Sequence, residues 1–314
     1  MVVTPQHTDP AAPPAPSELG RRRLADSDRA LAWLFLSPAV VYIVALVGVP
    51  FVLALAFSLS DVTAGNPSFD FVGARNFLRA FQDPVFWTAL RNTFVFTAIS
   101  MALIVLFGKV LANILIAKFR GRWLVRFLVL LPWTTPVALS TITWLWLLDS
   151  VFSPIDWVLR HLGLIQTNMY WLGQPNLAMA SVIAVQVWRL VPLAAVIMMA
   201  GLLSIPTEVQ EQARVDGAGY WRRMFEVTIP LTAPVIAVAA LFGAIFTFTD
   251  MTVVYVLTRG GPTNSTQVLA SWAFYRGIGG ADIGQGAAIA LFLFPLLLAA
   301  AIAILRVVRR MEVS

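Results

Sequence analysis

The sequence contains no cysteine and few charged residues. Because none of its 314 residues is cysteine, disulfide scaffolds, thiolate metal sites and cysteine nucleophiles are excluded. Charged residues make up 12% of the chain, whereas a soluble globular domain carries about 25%. Hydrophobic residues make up 59%. So little charge cannot cover a water-facing surface, and the composition therefore indicates a membrane protein.

A nucleotide-binding motif and metal-ligand clusters are also absent from the sequence. No segment matches G-x-x-x-x-G-K-[ST], the loop that holds the phosphates of ATP. Of the two histidines, His7 lies in the N-terminal tail and His161 in a predicted loop. We therefore predict no metal site, no resident cofactor and no enzymatic activity. The net charge of +6 could suggest nucleic-acid binding in a soluble protein, but we predict no nucleic-acid partner for a membrane chain.

Six hydrophobic runs are long enough to cross a bilayer core of about 30 Å as helices. We therefore predict an all-α membrane protein with six transmembrane helices within a membrane domain over residues 30–308. The predicted spans are residues 31–59, 87–117, 123–148, 177–203, 233–257 and 284–308. Kinks are expected near the prolines in or beside these runs, namely Pro50, Pro136, Pro192 and Pro295.

The basic residues are distributed unevenly between the two sides of the predicted bundle. Fourteen of the 22 Lys+Arg fall on the side that holds both termini, six fall on the other side, and Lys109 and Arg189 lie inside spans. Because cytoplasmic loops carry an excess of basic residues, both termini are predicted to be cytoplasmic. Residues 1–29 form a predicted disordered, basic tail, and residues 309–314 form the C-terminus.

The longest predicted cytoplasmic loop, residues 204–232, has mixed polarity. Thr207 and Gln210 have the spacing of a capping box that starts a helix, and Asp216-Gly217 supplies a stop because glycine adopts left-handed dihedral angles. A second short helix is predicted over residues 219–228. Two short helices joined by a glycine turn would form either an ordinary connector or a compact knob that a soluble partner can hold.

This loop resembles the EAA loop of binding-protein-dependent ABC transporter permeases. The family pattern is E-A-A, three residues, G and, about nine residues later, I-x-L-P. Glu211, Ala213 and Gly217 match it, Gln212 replaces an alanine, and Ile229-Pro230 stands near the end of the pattern. Further similarities to the sugar-permease branch, the MalF/UgpA-like subunits, are F-V-G-A-R-N-F (residues 71–77), D-P-V-F-W (83–87), N-T (92–93), V-W-R-L-V-P (187–192) and L-T-R-G-G-P (257–262).

The resemblance implies the type I permease fold of ABC importers and a multi-pass protein of a bacterial or archaeal cytoplasmic membrane. It implies a carbohydrate-type solute, such as a sugar, an oligosaccharide or a glycerol-phosphate derivative. It also implies a second permease subunit, two ATPase subunits that bind ATP-Mg, and an extracytoplasmic solute-binding protein as partners. The residues that would couple the chain to the ATPase are Glu211, Gln212, Ala213, Asp216, Gly217 and Ala218.

Charged and aromatic residues within the spans are the candidates for the solute pathway. Charges inside a membrane are costly and often functional. Arg189 and Asp250 could pair with each other or line the pathway, whereas Lys109 lies near enough to a span end to extend to the interface. The aromatic candidates, which could pack against sugar rings or simply against the protein core, are Trp144, Trp188, Phe248 and Tyr255.

A secondary transporter is the alternative interpretation. Such proteins carry buried ionisable residues as coupling sites and often an internal repeat. Asp250 is the acidic residue that falls inside a predicted span, and it would be the coupling residue in that case. No clear repeat is visible in the sequence.

Overall fold

The computed structural model describes residues 28–66 and 69–312, and their regular elements are helical, with only isolated β-bridges beside them. Most of the predicted N-terminal tail lies outside the described residues. The chain separates into two compact units at Leu53. The helices are α1 Asp28–Ile43, α2 Val49–Ser58, α3 Arg75–Gln82, α4 Pro84–Ile116, α5 Arg122–Thr134, α6 Val137–Leu147, α7 Pro154–His161, α8 Pro175–Leu203, α9 Thr207–Val215, α10 Tyr220–Arg223, α11 Ile229–Phe248, α12 Thr252–Leu257, α13 Leu269–Phe274 and α14 Ile283–Glu312.

Five helical stretches are long and apolar enough to cross a membrane, and a bent pair of helices makes a sixth candidate. The five stretches are Leu31–Ser58, Pro84–Ile116, Pro175–Leu203, Tyr220–Phe248 and Ile283–Arg306. The predicted third span is a bent pair of helices, since α5 and α6 meet at an angle of 98°. The kink expected near Pro136 is confirmed. Pro136 causes this break: it excludes a helical conformation for Thr135, whose backbone is extended (φ −75°, ψ 142°).

The predicted fifth span was wrong at both ends. The helical stretch begins at Tyr220, thirteen residues before the predicted start, and ends at Phe248, so that α12 is a separate short helix. The predicted second loop helix is therefore the first part of this span, joined to α11 by a π-helical turn, Met224–Thr228. Pro230 lacks an N–H and its ring crowds the preceding turn. The turn before Pro230 is widened into the π-helical turn, and the helix therefore continues past the proline.

The same relation between a π-helical turn and a proline occurs in the first helical stretch. The π-helical turn Val44–Gly48 joins α1 to α2 and lies just before Pro50. By contrast, α8 continues through Pro192 and α14 through Pro295 without a break in either helix. Pro50, Pro136 and Pro230 therefore each lie beside a π-helical turn or a helix break, whereas Pro192 and Pro295 lie within unbroken helices.

Helices α4, α8 and α11 form the packed centre of the second unit. Glycine allows close approach at two of their crossings. A Cβ atom on Gly108 of α4 would lie 2.9 Å from the Cβ of Ala194 on α8, and a Cβ on Gly201 would lie 2.9 Å from the side chain of Val235 on α11. Small residues let membrane helices approach closely, and this packing fixes α8 between its two neighbours.

The segment between α12 and α13 is bound to the start of α4. The amide of Asn92 donates hydrogen bonds to the carbonyl oxygens of Ser265 (2.8 Å) and Gln267 (3.1 Å). The hydroxyl of Thr93 accepts one from the backbone N–H of Leu269 (2.9 Å). The N-T pair noted in the sequence therefore holds residues 265–269, just after the L-T-R-G-G-P segment, against the bundle.

Candidate functional site: a loop turn and a buried ion pair

Helix α9 forms the first half of the connection between α8 and the span that begins at Tyr220. Its N-cap position is occupied by Pro206, and no side chain caps the helix. The predicted capping box of Thr207 and Gln210 was therefore wrong. Thr207 is already the first helical residue, so its side chain is not at the position from which a cap accepts a backbone N–H.

The end of α9 is a tight turn of the kind that glycine permits. Gly217 has φ +74°, and its N–H donates to the carbonyl oxygen of Arg214 (3.0 Å), while the N–H of Ala218 donates to that of Ala213 (3.0 Å). These two bonds form a Schellman motif. The predicted stop at Asp216-Gly217 is confirmed, with Asp216 as the C-cap residue.

The structure gathers the six predicted loop residues at this turn. Glu211, Gln212, Asp216 and Gly217 are exposed, and Ala213 and Ala218 are half-buried. Val215, which sequence reasoning did not single out, has an exposed fraction of 87%. Exposed valine beside carboxylates at the tip of a short helix makes a surface with both apolar and charged contacts to offer a partner.

The opposite side of α9 is attached to the bundle. Val209 packs against the main hydrophobic core, and Ile205, just before the helix, is buried. After the turn, only Ala218 and Gly219 separate the loop from the span that begins at Tyr220. A force on α9 therefore reaches α8 on one side and α11 on the other through short connections.

A second site is the polar network between α8 and the break after α11. The Arg189 guanidinium lies 2.9 Å from the Asp250 carboxylate, and both side chains are largely buried. Arg189 also donates to the side-chain oxygen of Gln186 (3.0 Å), and Gln186 donates to the hydroxyl of Thr247 (3.2 Å). The other Asp250 oxygen accepts from the backbone N–H of Val253 (2.9 Å), in the first turn of α12.

This network shows that Arg189 and Asp250 pair, while their place in the solute pathway stays a prediction. The two residues pair with each other, and Asp250 lies at the break between helices rather than in the middle of a span. Gln186 was missed by sequence reasoning. Its position three residues before Arg189, on the same helix face, was the available signal.

The aromatic candidates do not converge on one cavity. Trp144 and Trp188 contact each other edge to face at 5.4 Å between ring centroids, but Trp144 lines a cavity of about 300 Å³ and Trp188 a separate one of about 450 Å³. Phe248 is fully buried against Phe94 (5.9 Å). Tyr255 packs against Phe274 (5.2 Å). Of the six pathway candidates, Trp144 contacts Trp188 and Arg189 pairs with Asp250. Phe248 and Tyr255 pack instead against other aromatic residues.

Two ion-paired or hydrogen-bonded carboxylates order the segments between spans. Asp83 lies 2.6 Å from Arg276, whose guanidinium stacks over Trp272 at 4.8 Å. Asp156, which is fully buried, accepts hydrogen bonds from the indole N–H of Trp171 (2.8 Å) and the backbone N–H of Met169 (2.9 Å). Sequence reasoning placed these regions on one side of the bundle but did not find these partners.

Comparisons with known proteins show the family of the chain. The model of the family "Binding-protein-dependent transport system inner membrane component" matches residues 104–313. The sulfoquinovosyl glycerol transport system permease protein SmoG of Agrobacterium fabrum is 33% identical over 285 residues, which is 90% of this chain and 91% of that protein. The trehalose/maltose transport system permease protein MalF of Thermococcus litoralis is 32% identical over 280 residues, 89% and 94% of the two chains.

A solved structure shows the same fold. One chain of a bacterial alginate ABC transporter, in complex with an alginate pentasaccharide-bound periplasmic protein, superposes with a TM-score of 0.76 at 21% identity, covering 93% of this chain and 99% of that one. The chain belongs to the family of inner-membrane components of binding-protein-dependent transport systems. The resemblance to sugar-type ABC permeases that was found in its motifs is confirmed.

The family membership also bears on the alternative interpretation. The similar relatives are permease proteins of transport systems rather than enzymes. Asp250, the residue that this alternative would use for coupling, is paired with Arg189 and accepts a hydrogen bond from a backbone N–H. Neither observation favours the alternative.

Proposed function

We propose that the chain is one of two permease subunits of an ABC importer that carries a carbohydrate-type solute across a bacterial or archaeal cytoplasmic membrane. The observation that carries the proposal is the exposed Schellman turn at the end of α9, in a member of this permease family. In the proposal, ATP-Mg is bound by two separate ATPase subunits, and a solute-binding protein delivers the cargo from the other side. Both termini lie on the cytoplasmic side, in accord with the distribution of basic residues.

The carbohydrate class rests on the relatives. Two relatives that are more than 30% identical over most of their length are named as permeases for a sulfoquinovosyl glycerol and for trehalose and maltose. Among the aromatic candidates, Trp144 and Trp188 line separate cavities. The solute is therefore proposed by class and not by name.

The mechanism that we propose is alternating access driven through α9. Glu211 and Asp216 offer carboxylates for charge-assisted hydrogen bonds to a basic cleft of the ATPase, and Val215 offers an apolar contact. When the ATPases close on ATP, α9 is displaced and pulls on α8 and on the span from Tyr220. The Arg189–Asp250 pair ties α8 to the break after α11, so these elements move together.

Co-purification followed by reconstitution tests the proposal. The tagged chain is purified from its native membrane in mild detergent, and the co-purified proteins are identified by mass spectrometry. We expect a second permease, an ATPase and a solute-binding protein, and ATPase activity in proteoliposomes that rises with the loaded binding protein. Uptake that follows an ion gradient in the absence of ATP would contradict the proposal and support the secondary transporter with Asp250 as its coupling residue.

A further inference from the structure

A cavity of about 680 Å³ lies beside α9, between the ends of α4 and α8 and the start of the span at Tyr220. Four cationic side chains from separate parts of the chain line it, and no carboxylate is among the described residues of its lining. The four are Lys109, Lys118, Arg214 and Arg223. Lys118 and Arg214 are exposed, whereas Lys109 and Arg223 are half-buried. Like charges around one cavity repel each other most where the surroundings are least polar, so an anion between Lys109 and Arg223 would be stabilising.

Lys109 gives the strongest reason to expect an anion in this cavity. It lies on α4 seven residues before the helix end at Ile116, which is about 10 Å along the axis. Its Nζ atom is buried and has no hydrogen-bond partner among the described residues. The expected extension to the membrane interface stays a prediction, and the side chain lines the cavity beside α9. A buried ammonium group without a partner is costly, and an anion in the cavity would supply the partner.

No carboxylate of residues 28–66 and 69–312 supplies this partner. Glu208 and Glu211 lie on α9 but do not line the cavity, and Glu226 is bound to Arg222 at 2.8 Å. Arg222 itself is exposed and outside the lining, although its neighbour Arg223 is part of it.

The rest of the lining indicates the kind of anion. Asn113, Gln210 and Tyr220 can donate hydrogen bonds to oxygen atoms, and Leu202 and Met224 add apolar surface. The volume is that of a small-molecule site, and a bare phosphate ion would fill only a small part of it. Arginine and lysine together suit a phosphate group, and the apolar surface suits a substituent on that phosphate.

A second basic pocket adjoins the large cavity. It shares Lys118 with the large cavity and is otherwise lined by Phe119, Arg120 and Arg122, between α4 and α5. Basic pockets between membrane helices are typical binding places for anionic lipid headgroups.

We propose that this cavity is a binding site for a substituted phosphate anion, with Lys109 and Arg223 as its ligands. Two sources carry that chemistry: the headgroup of an anionic phospholipid and a soluble phosphate compound. The site is distinct from the turn at Gly217 that is proposed to contact an ATPase. Because binding is measured on the chain itself, a negative result here would leave the proposed transport function untouched.

Native mass spectrometry of the full chain in neutral detergent provides the test. Phosphatidylglycerol and phosphatidylcholine are titrated separately, and pyrophosphate is added as the soluble competitor. We expect phosphatidylglycerol to bind at least about tenfold more tightly than phosphatidylcholine, and Lys109→Met or Arg223→Gln to weaken it about tenfold. Arg222→Gln is the matched control, because it removes the same charge one residue outside the lining, and it should change binding by less than about twofold.

The lipid titration and the pyrophosphate competition distinguish a lipid headgroup from a soluble phosphate compound. Phosphatidylglycerol binding that pyrophosphate does not displace identifies a lipid headgroup, whereas direct pyrophosphate binding that displaces the lipid identifies a soluble phosphate compound. Should Lys109→Met fail to fold, the half-buried Arg223 still provides the comparison. Equal losses in Arg223→Gln and Arg222→Gln, or equal binding of both lipids, would overturn the proposal, as would a chain that binds neither phosphatidylglycerol nor pyrophosphate.

Discussion

Helices α8 and α14 are both long enough to span a membrane, yet they differ sharply in burial. In the most apolar stretch of α8, 56% of the residues are buried inside the protein, against 11% in that of α14, although α14 is the more hydrophobic of the two. In water this order would be reversed, because apolar residues are the ones that folding buries. In a bilayer, lipid covers apolar side chains as well as a protein core does.

Helix α14 is as rich in alanine and glycine as α8. The difference therefore lies in polar residues in the middle of the helix and in which small residues meet a neighbouring helix. Helix α8 carries Gln186, Arg189, Ala194 and Gly201 on faces that meet α4 and α11. These residues either allow close approach or require a polar partner. Hydrophobicity marks a helix for insertion into the membrane, whereas small and polar residues mark the faces that pack within the protein.

The largest effect is expected from breaking the ion pair on α8. Arg189→Ala leaves the Asp250 carboxylate buried without its cation, and such a change costs about 3–5 kcal/mol. We expect a large fall in the unfolding temperature in detergent. The neutral double variant Arg189→Gln/Asp250→Asn should recover much of that loss, because no uncompensated charge remains. Equal stability of the single and double variants would show that the pair does not fix α8.

The next test applies one substitution to both helices. Leu190 of α8 is 1% exposed and Leu298 of α14 is 49% exposed. Leu190→Ala should cost about 2–5 kcal/mol, since a buried cavity is created.

Leu298→Ala is the control and should change the stability of the isolated chain by less than about 1 kcal/mol. If Leu298→Ala becomes costly only in the assembled transporter, a partner subunit covers α14 there. Equal losses of stability from Leu190→Ala and Leu298→Ala in the isolated chain would contradict the difference in burial between α8 and α14.

A smaller effect on stability is expected at the turn after α9, in the proposed coupling loop that follows α8. Gly217→Ala places a side chain at φ +74°, which costs about 1–2 kcal/mol. Nothing lies within 4 Å of the added Cβ, so backbone strain is the cause and not crowding.

In the reconstituted transporter, Gly217→Ala should lower solute-stimulated ATPase activity severalfold while the chain remains inserted. Gly219→Ala provides the control, because Gly219 has an ordinary φ of −64° and equally open surroundings. Full ATPase activity in the Gly217 variant would remove the support for the coupling role.

The smallest effect concerns the turn after α6, where Asp149 accepts hydrogen bonds from the backbone N–H groups of Phe152 and Val151 (both 2.8 Å). These bonds hold the pKa of Asp149 below its ordinary value. The stabilisation is therefore complete above the ordinary pKa of about 4 and is lost as the pH falls through the lower pKa of the folded state. Hydrogen exchange at the two amides should accelerate relative to that of neighbouring amides over this range, and Asp149→Asn should abolish the pH dependence.

Much of the local structure could be predicted from the sequence. The stop at Gly217 followed from the freedom of glycine at positive φ, and the break near Pro136 from the effect of proline on the residue before it. The capping box at Thr207 was wrong because Pro206 takes the N-cap position. The start of the fifth helical stretch was wrong because Pro230 was taken as an end, whereas a π-helical turn carries the helix past it.

The sequence by itself determined that the chain is a membrane protein, where its hydrophobic stretches lie, and to which family it belongs. These properties depend on residues that are neighbours along the chain or on motifs within short segments. Only the tertiary structure decided that Arg189 pairs with Asp250, 61 residues away, that Trp144 and Trp188 line separate cavities, and that the Lys109 ammonium group is buried without a hydrogen-bond partner among the described residues. Such contacts depend on how distant helices cross, and hydrophobicity alone does not set those crossings, because lipid and protein cover apolar side chains equally well.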